Sequence, residues 1–165
     1  MKFRLMPEVW EDAAPERERE WRQTLGELNL DHGSLVRPGD AGAEEPVVTL
    51  GRHPEGGLLI VVALAGGEES TVHLNHRRMR GAFRDYKQVI EQIARATSGA
   101  FGPRDLETLD YAKKVVHDEA AELIQEALSE RVHLPHKLAR RIFTLAFLIT
   151  HDLPQEIVSH FRHPR

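Results

Sequence analysis

The chain contains no cysteine, which excludes disulfides, thiolate metal sites and a cysteine nucleophile. Aromatic residues make up only 6% of the sequence, fewer than proteins that bind nucleic acid by base stacking usually carry. The longest apolar runs, residues 58–65 and 145–149, are far shorter than the roughly 20 residues that a membrane-spanning helix needs. The N-terminus is basic but lacks the apolar stretch of a signal peptide. These absences predict a soluble, cytoplasmic protein.

Motifs for phosphate binding and for hydrolysis are also missing. The sequence has no phosphate loop, no G-x-G-x-x-G fingerprint and no G-x-S-x-G nucleophile turn. None of its serines stands in a recognisable nucleophile context. Active sites can assemble from distant residues, but on these grounds we favour a non-enzymatic protein and predict no cofactor.

The residues that are present predict one α+β domain over residues 1–165. Hydrophobic residues at 41% and charged residues at 29% are typical of an ordinary globular protein that is large enough to bury a core. A surface helix is predicted over residues 16–28, because its apolar residues recur on one helical face. Residues 1–14 lack a clear period and residues 31–46 are rich in Gly, Pro and acids, so both are predicted as loops.

Residues 47–75 have the period of β-strands. Apolar or β-branched runs at 47–50, 58–65 and 70–74 are separated by turn residues, which predicts a three-stranded antiparallel meander. The middle strand is apolar throughout, as in a strand that is covered on both faces. We therefore expect something besides the helices to pack on the second face of the sheet.

Residues 76–150 return to a helical period. Breaks near residues 98–103 and 134–135 divide them into three helices, which would form a bundle on the sheet. The last helix, Pro135 to Thr150, is apolar nearly all round in its second half. Such a helix is either central to the core or buried against a second copy, and the second alternative predicts a homodimer through this helix. Residues 151–165 are predicted to form a C-terminal extension.

The clearest functional lead is a basic run at residues 76–87, which has five Arg or Lys residues against one acid. Cations near a helix N-terminus oppose the helix dipole, and an anionic partner would reverse this cost. We predict that the run docks an acidic surface of an unidentified protein partner, and the candidate residues are Arg77, Arg78, Arg80 and Arg84. Nucleic-acid phosphate is a less favoured partner because the net charge is -4. The remaining alternative is a solvated face that is paired internally with glutamates of the next helix.

A second candidate site consists of Asp110, His117 and Glu119, which would serve a small-molecule sensor or an enzyme. On a helix Asp110 and His117 share one flank, which predicts a hydrogen-bonded pair, whereas His117 and Glu119 point to opposite flanks. The alternative is a structural histidine that orients neighbouring elements.

Histidines occur in H-x-x-H pairs, a spacing at which two imidazoles on one helix can hold a metal ion. One pair, His73 and His76, crosses a strand-to-helix junction. The other two pairs are His133 with His136 and His160 with His163. Because no third ligand accompanies any pair, we predict no physiological metal site.

Residues in matching order resemble a bacterial family of unknown function, uncharacterised protein family 0262. The residues that carry the resemblance are Glu18-Arg19, Asn29, Asp85-Tyr86, Asp110, His117, Glu119, Ala139-Arg140-Arg141 and Phe143-Thr144-Leu145. The resemblance covers roughly residues 16–150. It implies no known substrate, cofactor or catalytic residue, and it adds Arg140 and Arg141 to the candidate binding residues. The chain departs from the family at residues 134–137 and after Thr150, as a divergent member would.

Overall fold

The structure of the chain is a computed structural model that describes residues 1–32, 45–64, 66–96 and 103–151. These residues form four strands and five helices. In chain order they are β1 (Lys2–Leu5), α1 (Pro7–Glu11), α2 (Pro15–His32), β2 (Val47–Arg52), β3 (Gly57–Ala63), β4 (Glu69–Asn75), α3 (His76–Arg95), α4 (Pro103–Leu128) and α5 (His136–His151).

The strands form one mixed sheet in the order β1-β2-β3-β4. Strands β2, β3 and β4 are the predicted antiparallel meander, and the predicted α+β class is confirmed. Strand β1 pairs with β2 in parallel, so the prediction of a loop over residues 1–14 is wrong. Four alternating residues are too few to stand out from a loop, and the partner strand lies more than forty residues further along the chain.

The side chain of Asn29 holds β1 from the outer edge of the sheet. Its Oδ1 accepts a hydrogen bond from the Phe3 N–H at 2.8 Å, and its Nδ2 donates to the Phe3 carbonyl at 3.1 Å. One amide side chain therefore satisfies the backbone groups that an edge strand leaves unpaired.

Four of the helices lie in layers above the sheet. Helix α3 packs on β3 and β4, α5 packs on β2 and β3, and α2 packs on β1 and α5. Helix α4 packs mainly on α3 and α5 and also contacts the edge strand β4. The sheet residues that face these helices are fully buried; among them are Val48, Leu50, Leu58, Ile60 and Val62.

Helix α5 lies at the centre of the core. All nine of its apolar residues from Leu138 to Ile149 are buried within the chain itself. Its exposed or half-buried positions are all polar. Of the two alternatives for this helix, the structure therefore has the central one, and a homodimer through α5 is not supported.

The second face of β3 differs from the expectation of a strand covered on both sides. Leu58, Ile60 and Val62 are buried, whereas the alternate residues Leu59 and Val61 are only half-buried. These alternate residues are not part of the described hydrophobic core. In the described residues, the helices cover one face of the sheet.

Candidate functional site

A groove of about 520 Å³ opens between the first half of α3, the β2–β3 turn and the end of α5. Four of the side chains that line it carry a permanent positive charge, and none of the described lining residues is acidic. The lining residues are Arg52, His53, Gly56, Gly57, Met79, Arg80, Phe83, Arg84, Lys87, Thr150 and His151.

The turn between β2 and β3 leaves room for the groove. Gly56 and Gly57 have φ angles of 94° and 93°, a left-handed conformation that residues with a Cβ rarely adopt. The turn is closed by the N–H of Gly56, which donates to the His53 carbonyl at 2.9 Å. Because neither glycine has a side chain, the backbone forms one wall of the groove.

Another wall is formed by Arg80, Arg84 and Lys87 of α3. Together with Arg77, which lies beyond the groove, we define these residues as the cationic stripe. The spacing of three, four and three residues places these side chains on one side of the helix. Arg84 and Lys87 have neighbours of opposite charge at 3.4 and 3.9 Å. In the described parts of the chain, Arg80 has no ion pair. Arg78 is exposed but lies about 100° around the helix from Arg77, so it is not part of the stripe.

Two of the residues that line the groove are histidines, His53 and His151. His53 stacks on His73 with ring centroids 3.7 Å apart, and its Nδ1 accepts a hydrogen bond from the Glu55 N–H at 3.1 Å. His151 stacks on Phe147 at 4.5 Å. Burial lowers the pKa of His151, its hydrogen bond to the Phe147 carbonyl partly offsets this, and Lys87 lowers the pKa further. Because its pKa is lowered, His151 is neutral at physiological pH and adds no positive charge to the groove.

The second predicted site is a hydrogen-bonded clamp between α4 and α5, consisting of His117, Arg140 and Thr144. His117 Nε2 donates to the Arg140 carbonyl at 2.8 Å and lies 3.0 Å from Thr144 Oγ1. An Arg140 guanidinium N–H donates to His117 Nδ1 at 3.2 Å. Both ring nitrogens are thus engaged by α5, and the aromatic rings of Tyr86 and Phe143 lie 5.5 and 5.7 Å from the imidazole.

The clamp holds His117 in its neutral form. Burial lowers its pKa from 6.5 to about 4, the bond to the Arg140 carbonyl opposes this shift, and the charges of Arg140 and Lys113 add to it. A neutral ring whose two nitrogens are both engaged supports the structural reading of this histidine. Glu119 is exposed, and Asp110 is half-buried two turns earlier on α4. Because the ring nitrogens of His117 bond to Arg140 and Thr144 of α5, the predicted hydrogen-bonded pair of Asp110 and His117 is wrong.

A polar cluster beside the clamp was missed in the sequence. Asp118 Oδ1 accepts a hydrogen bond from His136 Nε2 at 3.0 Å and lies 3.4 Å from Arg140 Nε. The bond from His136 lowers the pKa of Asp118, and the charge of Arg140 adds to this effect. His136 Nδ1 also lies 3.3 Å from Gln125 Oε1, so both of its nitrogens face acceptors. Nothing in the sequence indicates these pairs, since they join residues of two helices across a turn.

The described residues contain no group of three His, Asp or Glu side chains that could hold a metal ion. His133 is exposed and His136 is engaged as above. His160 and His163 lie outside the described residues. Arg141 is half-buried on α5 and has interactions of its own, so it does not extend the groove. No helix of the described residues has the length and apolarity to cross a membrane.

Comparison with known proteins assigns the chain to a family. Residues 4–151 match the uncharacterised protein family UPF0262. The chain belongs to UPF0262. A UPF0262 protein of Methylobacterium radiotolerans is 32% identical over 136 residues, which is 82% of each chain. A UPF0262 protein of Hyphomonas neptunium is 30% identical over 134 residues, or 81% of this chain and 80% of the relative. No solved structure matches the chain.

The UPF0262 resemblance drawn from the sequence has a structural meaning. Several residues that carry it lie in the clamp between α4 and α5 or pack against it; they are Tyr86, His117, Arg140, Phe143 and Thr144. Another, Asn29, holds the edge strand β1. These residues therefore hold the layers of the fold together and do not line the groove.

Proposed function

We propose that this UPF0262 protein is a non-enzymatic binding protein whose basic groove takes up an acidic segment of a protein partner. The observation that carries the proposal is the convergence of Arg52, Arg80, Arg84 and Lys87 on one groove with no acid among its described lining residues. Arginine side chains bind carboxylates through paired N–H groups, and a concave site strengthens their combined field.

The length of the cationic stripe supports a chain as the ligand. Arg77 lies beyond the groove, and from it to Lys87 the helix rises about 15 Å. An extended peptide covers this distance with about four or five residues. A small anion would contact only the groove and would leave the rest of the stripe unused.

The chemistry of the groove favours carboxylates over nucleic acid. Phe83 is the single Phe, Tyr or Trp among the described lining residues, and it is only 7% exposed, so its ring is not available for base stacking. The imidazoles of His53 and His151 are already stacked on His73 and Phe147. The net charge of the chain, -4, would also repel a long polyanion outside the groove.

The alternative site around Asp110, His117 and Glu119 is less well supported. The ring nitrogens of His117 are engaged by α5, and Glu119 points away from it. A ligand would have to break the clamp in order to reach the imidazole.

The test uses a fluorescent glutamate-rich peptide, a thymidine oligonucleotide and inorganic phosphate as probes of the full chain. We expect the peptide to bind and the double variant Arg80→Glu/Arg84→Glu to lose this binding. A matched control is Arg19→Glu/Lys114→Glu, which changes the net charge equally at exposed sites on α2 and α4. If both double variants lose peptide binding equally, the effect is due to net charge alone and the groove is not the binding site. If only the oligonucleotide binds, the ligand is a nucleic acid and not a protein. If only phosphate binds, the ligand is a small anion.

A further inference from the structure

The face of the sheet that the described helices leave open has an apolar centre. Val47, Leu59, Val61 and Ala63 point to this face and are half-buried, yet they are not part of the described core. The register places Val61 beside Thr49 and Ala63 beside Val47. At one end of the face, Met6 lies over the position of Gly51. The centre of the face is thus a patch of β-branched and aliphatic side chains.

The rim of the open face carries opposite charges on opposite edges. Lys2 on β1 pairs in register with Val47, which pairs with Ala63, which in turn pairs with Glu69 on β4. Lys2 and Glu69 therefore lie on one row across the sheet, separated by two strands. Both are exposed, and neither has an ion pair within the described residues.

We propose that the open face binds the same face of a second copy of the chain, with the two-fold axis parallel to the strands. This axis reverses the strand order of the second sheet but keeps its rows at the same level. Lys2 of each copy then faces Glu69 of the other, and Val47 faces Ala63. The two sheets form an aligned sandwich, the usual packing of antiparallel sheets.

The charge pattern selects this axis over the other face-to-face arrangement. A two-fold axis perpendicular to the strands would place β1 on β1, so that Arg4 of one copy would face Arg4 of the other. Like charges at an interface oppose association, whereas opposite charges support it. The dimer forms through the sheet and leaves the basic groove, on the helical side, free for its own ligand.

The size of the face places the dimer among weak interfaces. Four strands about 4.8 Å apart and three rows of side chains cover about 20 Å in each direction. Two such faces have an area of about 800 Å², which is below the range of stable specific interfaces and within that of weak, transient ones. We therefore expect a dissociation constant in the micromolar range.

The test is sedimentation equilibrium of the full chain between about 1 µM and about 500 µM, a range that brackets a micromolar dissociation constant. We expect a monomer–dimer equilibrium. Val61→Lys should weaken it at least about tenfold, because the ammonium would be buried without a partner. The matched control Val115→Lys, at a position on α4 that is 36% exposed, should leave it unchanged. Circular dichroism verifies that both variants fold.

A charge swap then tests the axis. Lys2→Glu or Glu69→Lys alone should weaken the dimer about fivefold, and the two together should restore it. The two positions are about 14 Å apart within one copy, too far for rescue inside it. The proposal is overturned if the chain is a monomer at every concentration or if Val61→Lys does not weaken the dimer. It is also overturned if the double variant does not restore the dimer.

Discussion

Replacement of Arg80 by glutamate should stabilise the fold and weaken binding of an acidic peptide at the same time. Arg80 lies three residues after Arg77 and four before Arg84, so on α3 it has a like charge on each side. In the described residues, no acid compensates it.

The magnitude follows from these two neighbours. Each like-charge pair costs about 0.2–0.5 kcal/mol, and each opposite-charge pair at the same spacing gains about as much. Arg80→Glu converts both pairs, and solvent screening reduces the sum, so we expect about 1 kcal/mol of added stability. For a chain of this size, that is about 2–4 °C in Tm. Arg80→Gln removes the repulsion without adding attraction and should give about half of the gain.

The assay compares chemical denaturation and peptide affinity on the same preparations. Stability that rises while affinity falls identifies Arg80 as a residue retained for binding, since function and stability then oppose each other. A gain that shrinks with added salt would confirm its electrostatic origin. Loss of stability in Arg80→Glu would refute the reasoning, because it would mean that the guanidinium is compensated inside the fold.

Three further predictions concern the fold. The pKa of His117 is about 4 in the folded chain and 6.5 in the unfolded chain, so its contribution to the free energy of unfolding should be fully present above pH 6.5. Between pH 6.5 and 4 this contribution should fall by up to about 3 kcal/mol, because the unfolded chain takes up the proton first. Denaturation of wild type and His117→Gln at several pH values should show their difference shrinking on acidification; a constant difference would contradict the assignment. Asn29→Ala should cost about 1–3 kcal/mol and speed hydrogen exchange of β1, because two hydrogen bonds are lost. Phe147→Ala should cost about 3–5 kcal/mol in denaturant, whereas Leu30→Ala, at a side chain that is 80% exposed, should cost almost nothing.

The sequence predicted helices and strands whose apolar pattern is clear within one continuous segment of the chain. Helix α3 repeats its apolar residues over twenty positions, and the runs of β2, β3 and β4 are separated by glycine-containing turns, so both patterns are strong. Strand β1 was missed because its pairing with β2 is parallel and distant in the sequence. A parallel pair has no turn signal next to the strand that would announce it.

Only some of the residues of the candidate site could be predicted from the sequence. Arg80 and Arg84 were found because they belong to one charge run. Arg52 and His151 were missed because they reach the groove from β2 and α5, and only the tertiary fold brings these ends together. The same limit applied to His117, whose partners are on α5 and not at a helical spacing on α4.

The two sides of helix α3 have different surroundings. Its inner side packs Phe83 and Tyr86 against Phe143 and Phe147 of α5, which explains why these residues are apolar. Its outer side carries the cationic stripe, which no packing requires and which opposes the helix dipole near its start. A solvated helix surface could hold neutral polar residues at no cost. Arg80 nevertheless lies on the groove without an ion pair in the described residues, between the like charges of Arg77 and Arg84, and an anionic ligand best explains this.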